Sequence, residues 1–480
     1  MLLTLTGTAG TAVLRVWGEQ RSLTYDYSGA AKAGAALAAR FEPATLAAGT
    51  VRSASCSSWA RARASANERR PLSIVVLGGS VTAGCGAAQP LQRCDALSSW
   101  SRLLHDQLVA GLGGEDEQLA AWGKNAIRAG YFTHCTSAKV PASAHIVLLE
   151  LQPNLWMSGQ MTCPNCARYL TELIQHVRMA APNAAIVFIG WPIKHGARPI
   201  ESIVRKIASA YMFDAWFASS CLRLMERSNS THVYGELLHA DAVHPGPTGH
   251  GMLAGGAAAL LLERLREEGT HCATSNSTGP AESAGPLHSR REWCYSNGDT
   301  LPINGSTHSV VGSRVGGWYL VDEGEAKGVS KLGYLSISKV SSDTLWIGPL
   351  PRCHRLQAAL GYLQSWREEY GALRISCSGG CSCSPSSQVV QTSATRVHYA
   401  EGKRELENAT VTVMSNSMDV THHAHNVSGA ACFLGVAHVT PHGQQPTMID
   451  TLTRVRVDSL HLSSVDVGCT QEGLPGPYLQ

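Results

Sequence analysis

Ser73-Ile74-Val75-Val76-Leu77-Gly78-Gly79-Ser80-Val81-Thr82-Ala83-Gly84 is the stretch on which the reading of this chain turns. An apolar run of strand length stops at two glycines, and a serine follows at once with small residues behind it. A strand that ends this way presents one hydroxyl at the carboxyl edge of a sheet, where open α/β folds keep their sites. Serine alone is a weak nucleophile and needs a base beside it. The rest of the chain must therefore supply that base and the donors for an oxyanion.

Outward from this stretch, strand and helix patterns alternate over residues 71–269. Ile74–Leu77 reads as the first strand, and Leu119–Gly123 as the end of another. Ser98 or Ser99 is a suitable N-cap for a helix with Trp100, Leu103, Leu104 and Leu108 on one side. Ile146–Leu151 is continuously apolar, as a strand buried on both faces should be. A helix over Cys166–Ala180, a strand over Ala185–Trp191, a helix over Ile200–Arg227 and a closing helix over Thr248–Glu268 complete the series. Such alternation implies a parallel sheet covered by helices on both faces.

The flanking regions differ in texture. Residues 1–70 carry no convincing core pattern and read as a leader or approach segment, with Ser53–Arg70 a loop or short exposed helix. Residues 270–290 are rich in Ser, Thr, Gly, Ala and Pro and read as a linker. From 291 to 470 short β-prone runs recur between turn residues: Gly317–Val321, Leu332–Ser338, Thr344–Ile347, Ala372–Cys377, Ala409–Met414, Cys432–Val439 and Arg454–Leu460. They predict an all-β sandwich-like domain, in which Leu356–Tyr370 is one helix or a long connection. Residues 471–480 form a tail.

The totals narrow the function. A chain of 480 residues holds two or three domains, and a net charge of +3 lacks the basic excess of a nucleic-acid binder. No run of about 20 apolar residues is present, so no membrane span is expected. Fifteen cysteines, together with Asn-x-Ser/Thr triplets at Asn229, Asn276, Asn304, Asn408 and Asn426, favour an oxidising compartment, secretory or extracellular. The odd cysteine count leaves at least one thiol outside intrachain bridges. Met1–Leu14 is apolar but has no basic leader, which makes it a poor signal peptide; either export uses an unclear signal or the true start precedes this sequence.

A base is available in Asp241-Ala242-Val243-His244-Pro245, just ahead of the closing helix. The Asp-x-x-His spacing lets the carboxylate hold one imidazole nitrogen while the other faces a serine. Read alone, the same tetrapeptide is a capped turn beside a surface histidine. Gly130, in Asn125-Ala126-Ile127-Arg128-Ala129-Gly130, offers a bare backbone N–H or is a simple turn glycine. Asn154, in Glu150-Leu151-Gln152-Pro153-Asn154, ends the buried strand at the edge where Ser80 lies; it offers a side-chain amide or merely closes a loop.

Taken in order, Ser80, Gly130, Asn154 and Asp241 with His244 resemble the four blocks of the SGNH hydrolase (GDSL-like esterase/lipase) superfamily over about residues 71–265. The resemblance implies a flavodoxin-like three-layer α/β/α sandwich. It also implies ester hydrolysis through an acyl-serine intermediate, with Ser80, His244 and Asp241 catalytic and Ser80, Gly130 and Asn154 forming the oxyanion hole. Neither metal nor cofactor is implied. Two departures stand out: the family's Gly-Asp-Ser reads Gly78-Gly79-Ser80, and its Gly-x-Asn-Asp reads Gln152-Pro153-Asn154-Leu155. The Gly-x-Ser-x-Gly elbow of the ordinary α/β-hydrolases fits worse, because Thr82 stands where its second glycine belongs.

Other clusters compete less well. Cys163-Pro164-Asn165-Cys166 has redox-motif spacing without thioredoxin-like surroundings, so a structural bridge is the better reading. Cys85 and Cys94 bracket a short loop beside Ser80 and suit a disulfide. Zinc held by His239, Asp241, His244 and His250 would leave the Ser80 block unexplained. Cys377, Cys381 and Cys383 read as disulfides, and His422, His423 and His425 as a solvated loop. Trp318, Tyr319, Tyr334 and Trp346 fill the β core or line a sugar-binding face, the core being the commoner use. The sequence thus points to a serine esterase acting on a small-molecule or carbohydrate ester, O-acetyl sugars included. An O-acyltransferase and a non-catalytic carbohydrate-binding protein on the same fold are the alternatives.

Overall fold

The structure is a computed structural model. It describes residues 47–87, 94–112, 118–124, 127, 129–134, 136–157, 166–191, 197–221, 237, 243–267, 291–295, 301–303, 306, 311, 313–322, 332–336, 343–353, 355–365, 371–392, 410–415, 417–422, 431–439, 455–464 and 469, with a two-residue ladder of Leu5–Thr6 against Val13–Leu14. The chain divides into two compact units, Met1–Pro286 with Lys327–Val329, and Leu287–Ala326 with Ser330–Gln480. No helix among the described residues is long and apolar enough to cross a membrane.

The first unit is built on a six-stranded sheet. Its strands are β1 (Thr50–Val51), β2 (Ser73–Gly78), β3 (Gln118–Gly123), β4 (Ile146–Glu150), β5 (Ala185–Gly190) and β6 (Asp214–Phe217), in the order β1-β6-β5-β4-β2-β3. All neighbours are parallel except the edge pair β1 and β6. Leaving out β1, this is the flavodoxin-like strand order. The chain leaves β2 toward β3 on one side and leaves β4 toward β5 on the other, so β2 and β4 bracket the topological switch point, where such sheets open a crevice.

Central strands buried on both faces account for the unbroken apolar runs. Ile74, Val76, Ile146, Leu148, Val187 and Ile189 pack into one core with helices α1 (Cys56–Asn67), α2 (Trp100–Leu112) and α6 (Pro247–Arg266). The alternate residues Val75, Leu77, Val147, Leu149, Ile186 and Phe188 are also buried. On their side lie α4 (Cys166–Ala180), which buries Leu170, Leu173, Ile174 and Val177, and α5 (Ala197–Ala210); the short α3 (Gln152–Met157) follows β4 directly. The result is the three-layer α/β/α sandwich expected from the sequence.

Two readings need correction. Ser53–Arg70 is not an exposed appendage: α1 buries Trp59, Ala62, Arg63 and Ser65 against the sheet core, and β1 extends the sheet. Its Ala, Arg and Ser content hides one packed face organised around a single tryptophan. The long helix expected over Ile200–Arg227 stops at Ala210; Met212 turns the chain with φ +49°, and Asp214–Phe217 enters the sheet fully buried.

The second unit is a sandwich of two antiparallel sheets sharing one core. The larger contains Arg291–Tyr295, Arg314–Val315, Trp318–Asp322, Leu332–Ser336, Leu356–Ser365, Cys381–Ser384, Thr410–Met414, Met418–His422 and Val455–Ser464. The smaller runs Thr344–Ile347, Cys432–Val439, Ala372–Gly379, Ser387–Gln391. Leu356–Ser365 is a strand rather than a helix or connection. Leu356, Ala358, Leu360 and Tyr362 face the core at period two, and pairing with three other strands overrides the helix propensity of Leu, Gln and Ala. Cys353–Cys469, Cys377–Cys383 and Cys381–Cys432 staple this unit. Trp318 and Tyr334 belong to its core, while Tyr319 and Trp346 are half-buried.

Candidate active site

Ser80 sits two residues past β2, in a turn closed by Ala83 N–H to Gly79 O at 3.0 Å and Cys85 N–H to Ser80 O at 2.9 Å. Gly84 and Gly86 take positive φ, which lets the chain fold back toward the Cys85–Cys94 disulfide expected from the sequence. His244 arrives from the other end of the domain, just ahead of the α6 N-terminus, where Gly246 is the N-cap and Pro247 opens the helix. Its Nε2 lies 2.7 Å from Ser80 Oγ. The Trp191 indole N–H donates to Val243 O at 3.1 Å and holds the histidine loop. Two side chains 164 residues apart thus meet at the switch point.

Asn154 lies in α3, almost fully buried. Its Nδ2 donates to Ile127 O at 2.9 Å, which tethers the segment leading to Gly130. Gly130 falls in a short 3₁₀ turn, Ala129–Thr133, and a Cβ there would stand 3.1 Å from the Tyr169 ring of α4. The structure therefore brings Ser80 and His244 into direct contact and places Asn154 against the nucleophile turn. Gly130 follows three residues after Ile127, whose carbonyl Asn154 holds. Asp241 lies outside the described residues, as do Cys163, His239, His423, His425 and the asparagines of the five Asn-x-Ser/Thr triplets.

A Cβ on Gly79 would fall 2.1 Å from Asn154 Oδ1. No side chain fits at 79 while Asn154 keeps its place.

Two further residues support the site, and motif matching passes over them. His250, one turn into α6 and wholly buried, accepts from Trp100 N–H at Nδ1 (3.1 Å) and lies 3.1 Å from Cys85 O at Nε2. The first contact fixes the neutral tautomer with its proton on Nε2. Burial lowers its pKa to about 3, against the Cys85 hydrogen bond and with a small contribution from His244. Both ring nitrogens are thus engaged within the protein, so His250 is not placed as a metal ligand. Glu150, ending β4, is wholly buried; its Oε2 accepts from Thr82 N–H (3.2 Å) and Thr82 Oγ1–H (3.0 Å). Burial pushes this carboxyl up to about 8 despite those hydrogen bonds. The only sequence signal was an acid closing an otherwise apolar buried run, a placement rare without a partner.

Glu292, Cys294 and His461 converge in the second unit with metal-like spacing. Cys294 is disulfide-bonded, so it has no thiolate to offer. Cys221 keeps a buried thiol, its pKa pushed up to about 12 by burial, which makes it a poor nucleophile.

No protein-family model matches the chain, and no curated protein matches it. Among solved structures, a two-domain esterase active on acetylated mannans is similar at 14% identity with a TM-score of 0.55, over 87% of this chain and 98% of that one. The same esterase co-crystallised with mannopentaose gives the same values. A GDSL-like lipase from Parabacteroides merdae follows, with a TM-score of 0.32 and 14% identity over 40% of this chain and 97% of that one. At such identity the likeness is one of fold. The chain shares that two-domain fold, a three-layer α/β/α unit followed by a β-rich unit.

Proposed function

We propose that the protein is a serine esterase that hydrolyses carboxylic esters, with O-acetyl groups on carbohydrate as the substrate class. The observation that carries this reading is the 2.7 Å contact between Ser80 Oγ and His244 Nε2 at the sheet's switch point. The substrate class is supported by the two-domain esterase of like fold that acts on acetylated mannans.

In this reading Ser80 Oγ attacks the ester carbonyl as His244 Nε2 takes its proton. Asp241 supports the imidazolium that forms. Charge developing on the carbonyl oxygen is held by the Ser80 and Gly130 N–H groups and the side-chain amide of Asn154. His244 then protonates the departing sugar hydroxyl, leaving acetyl on Ser80. Water, deprotonated by His244, attacks the acyl-serine and releases acetate. The disulfides support a location in the secretory pathway or outside the cell.

The test is acetate release from acetylated oligosaccharides by the purified protein and by its Ser80→Ala variant. Wild type is expected to release acetate, and the variant to fall to background. Equal release by both proteins would contradict the assignment.

A further inference from the structure

We propose that Glu150 is the positioning residue for the nucleophile: its side chain, reaching from β4 under the neighbouring turn, fixes Thr82 and with it the shape of the turn that aims Ser80 Oγ at His244. The kinetic consequence rests on the esterase reading above, whereas the clamp itself does not.

Glu150 is the register partner of Gly78 on the adjacent parallel strand, directly below the turn. It grips that turn on both sides of Ser80. Its carbonyl accepts from Gly79 N–H at 3.2 Å, and its Oε2 accepts twice from Thr82. Thr82 Oγ1 also accepts from Trp100 Nε1 at 3.3 Å, which joins the clamp to α2. With residue 79 and residue 82 both fixed, little backbone freedom remains for Ser80 between them.

A side chain at 79 would overlap Asn154, which leaves the turn beside Ser80 to be held through its backbone and Thr82. The environment of Glu150 suits an uncharged acid. Thr82 of the turn faces it, Trp100 of α2 stands behind Thr82, and among the described residues no charged group pairs with it. Oε1 has no hydrogen-bond partner among the described residues. An ionised carboxylate so placed would be strongly unfavourable, in keeping with its raised pKa of about 8. A neutral carboxyl keeps the acceptor that Thr82 needs without burying charge.

Glu150→Ala, Glu150→Gln and Thr82→Val are compared with wild type in the full chain, for ester hydrolysis and for urea unfolding across pH. Glu150→Ala is expected to lose about 10²-fold in kcat with KM within about threefold, as a misplaced but still accessible nucleophile would. Glu150→Gln, which keeps the acceptor, is expected to recover most of that loss, and Thr82→Val to lose about tenfold. Wild-type kcat in folded Glu150→Ala would overturn the proposal, as would a Glu150→Gln variant as slow as Glu150→Ala. If Glu150→Ala does not fold, Thr82→Val decides, and wild-type kcat there overturns it. If wild type hydrolyses no ester, the esterase reading fails and urea unfolding judges the clamp. The expected result is then a loss of stability in Glu150→Ala that Glu150→Gln largely restores. A Glu150→Ala variant as stable as wild type, or a Glu150→Gln variant as unstable as Glu150→Ala, overturns it.

Discussion

Residue 79 shows how one atom decides a motif. Its missing Cβ leaves the space that the Asn154 amide fills. Gly79→Asp, which would restore the family's residue, is expected to displace Asn154 and lower kcat by about 10²-fold, measured on a soluble ester beside a melting curve. Asn154→Ala leaves the turn intact but removes the amide, with an expected loss of 10²–10³ in kcat, on the order of other oxyanion donors, and little change in KM. Ser80, Asn154 and His244 were legible in the sequence because each sits in a short block at the end of a strand or before a helix. Glu150 and His250 were not. Their roles come from neighbours brought close across strands and helices, Thr82 for the one and Trp100 with Cys85 for the other.

At the scale of elements, the legible parts were those whose apolar residues fit their own type, helical spacing for one and β-prone runs for the others. Cys166–Ala180, Thr344–Ile347 and Cys432–Val439 have the boundaries that their apolar patterns indicated. Elements with a mixed pattern were misread: α1 for its Ala and Arg content, Leu356–Ser365 for its helix formers, and β6 for being only four residues long. Asp214 at the start of β6 is the node that makes two of these elements cohere. Wholly buried, it accepts from Ser53 N–H, Ala54 N–H, Trp59 Nε1 and Arg264 Nε at 2.7–3.0 Å, tying β6 to α1 and to the far end of α6. Asp214→Ala leaves Ser53 N–H, Ala54 N–H and Trp59 Nε1 without their acceptor and breaks the buried pair with Arg264, which keeps Glu267; it is expected to cost about 3–5 kcal/mol in urea unfolding. A loss under about 1 kcal/mol would show that the network contributes little beyond a surface pair.

Over the whole molecule, two buried groups shape the response to pH in opposite directions. Glu150 holds its proton up to about pH 8 in the folded chain, whereas unfolded it ionises near 4.5. The unfolded state binds fewer protons in that window, so stability falls as pH rises through it. His250 stays neutral down to about pH 3, whereas unfolded it protonates near 6.5. There the unfolded state binds more protons, so stability falls as pH drops. The two effects offset each other between about 4.5 and 6.5 and act singly outside that range. Urea unfolding is expected to show a broad maximum there, and Glu150→Gln to remove the alkaline fall. In the β-rich unit, Cys353–Cys469 spans 116 residues, and its removal is expected to cost about 4–5 kcal/mol by loop-closure entropy. The sandwich was legible from its spaced β-prone runs, but its strand order was not, because partners such as Leu356–Ser365 and Val455–Ser464 lie far apart in sequence.

Reaction with a fluorophosphonate, followed by peptide mass mapping, tests most directly whether Ser80 and His244 form a nucleophile and its base. The expected result is one phosphonyl adduct per chain on Ser80, absent from Ser80→Ala and at least about 10²-fold slower in His244→Ala. A folded wild-type protein that stays unmodified, or carries the adduct on another residue, would contradict it.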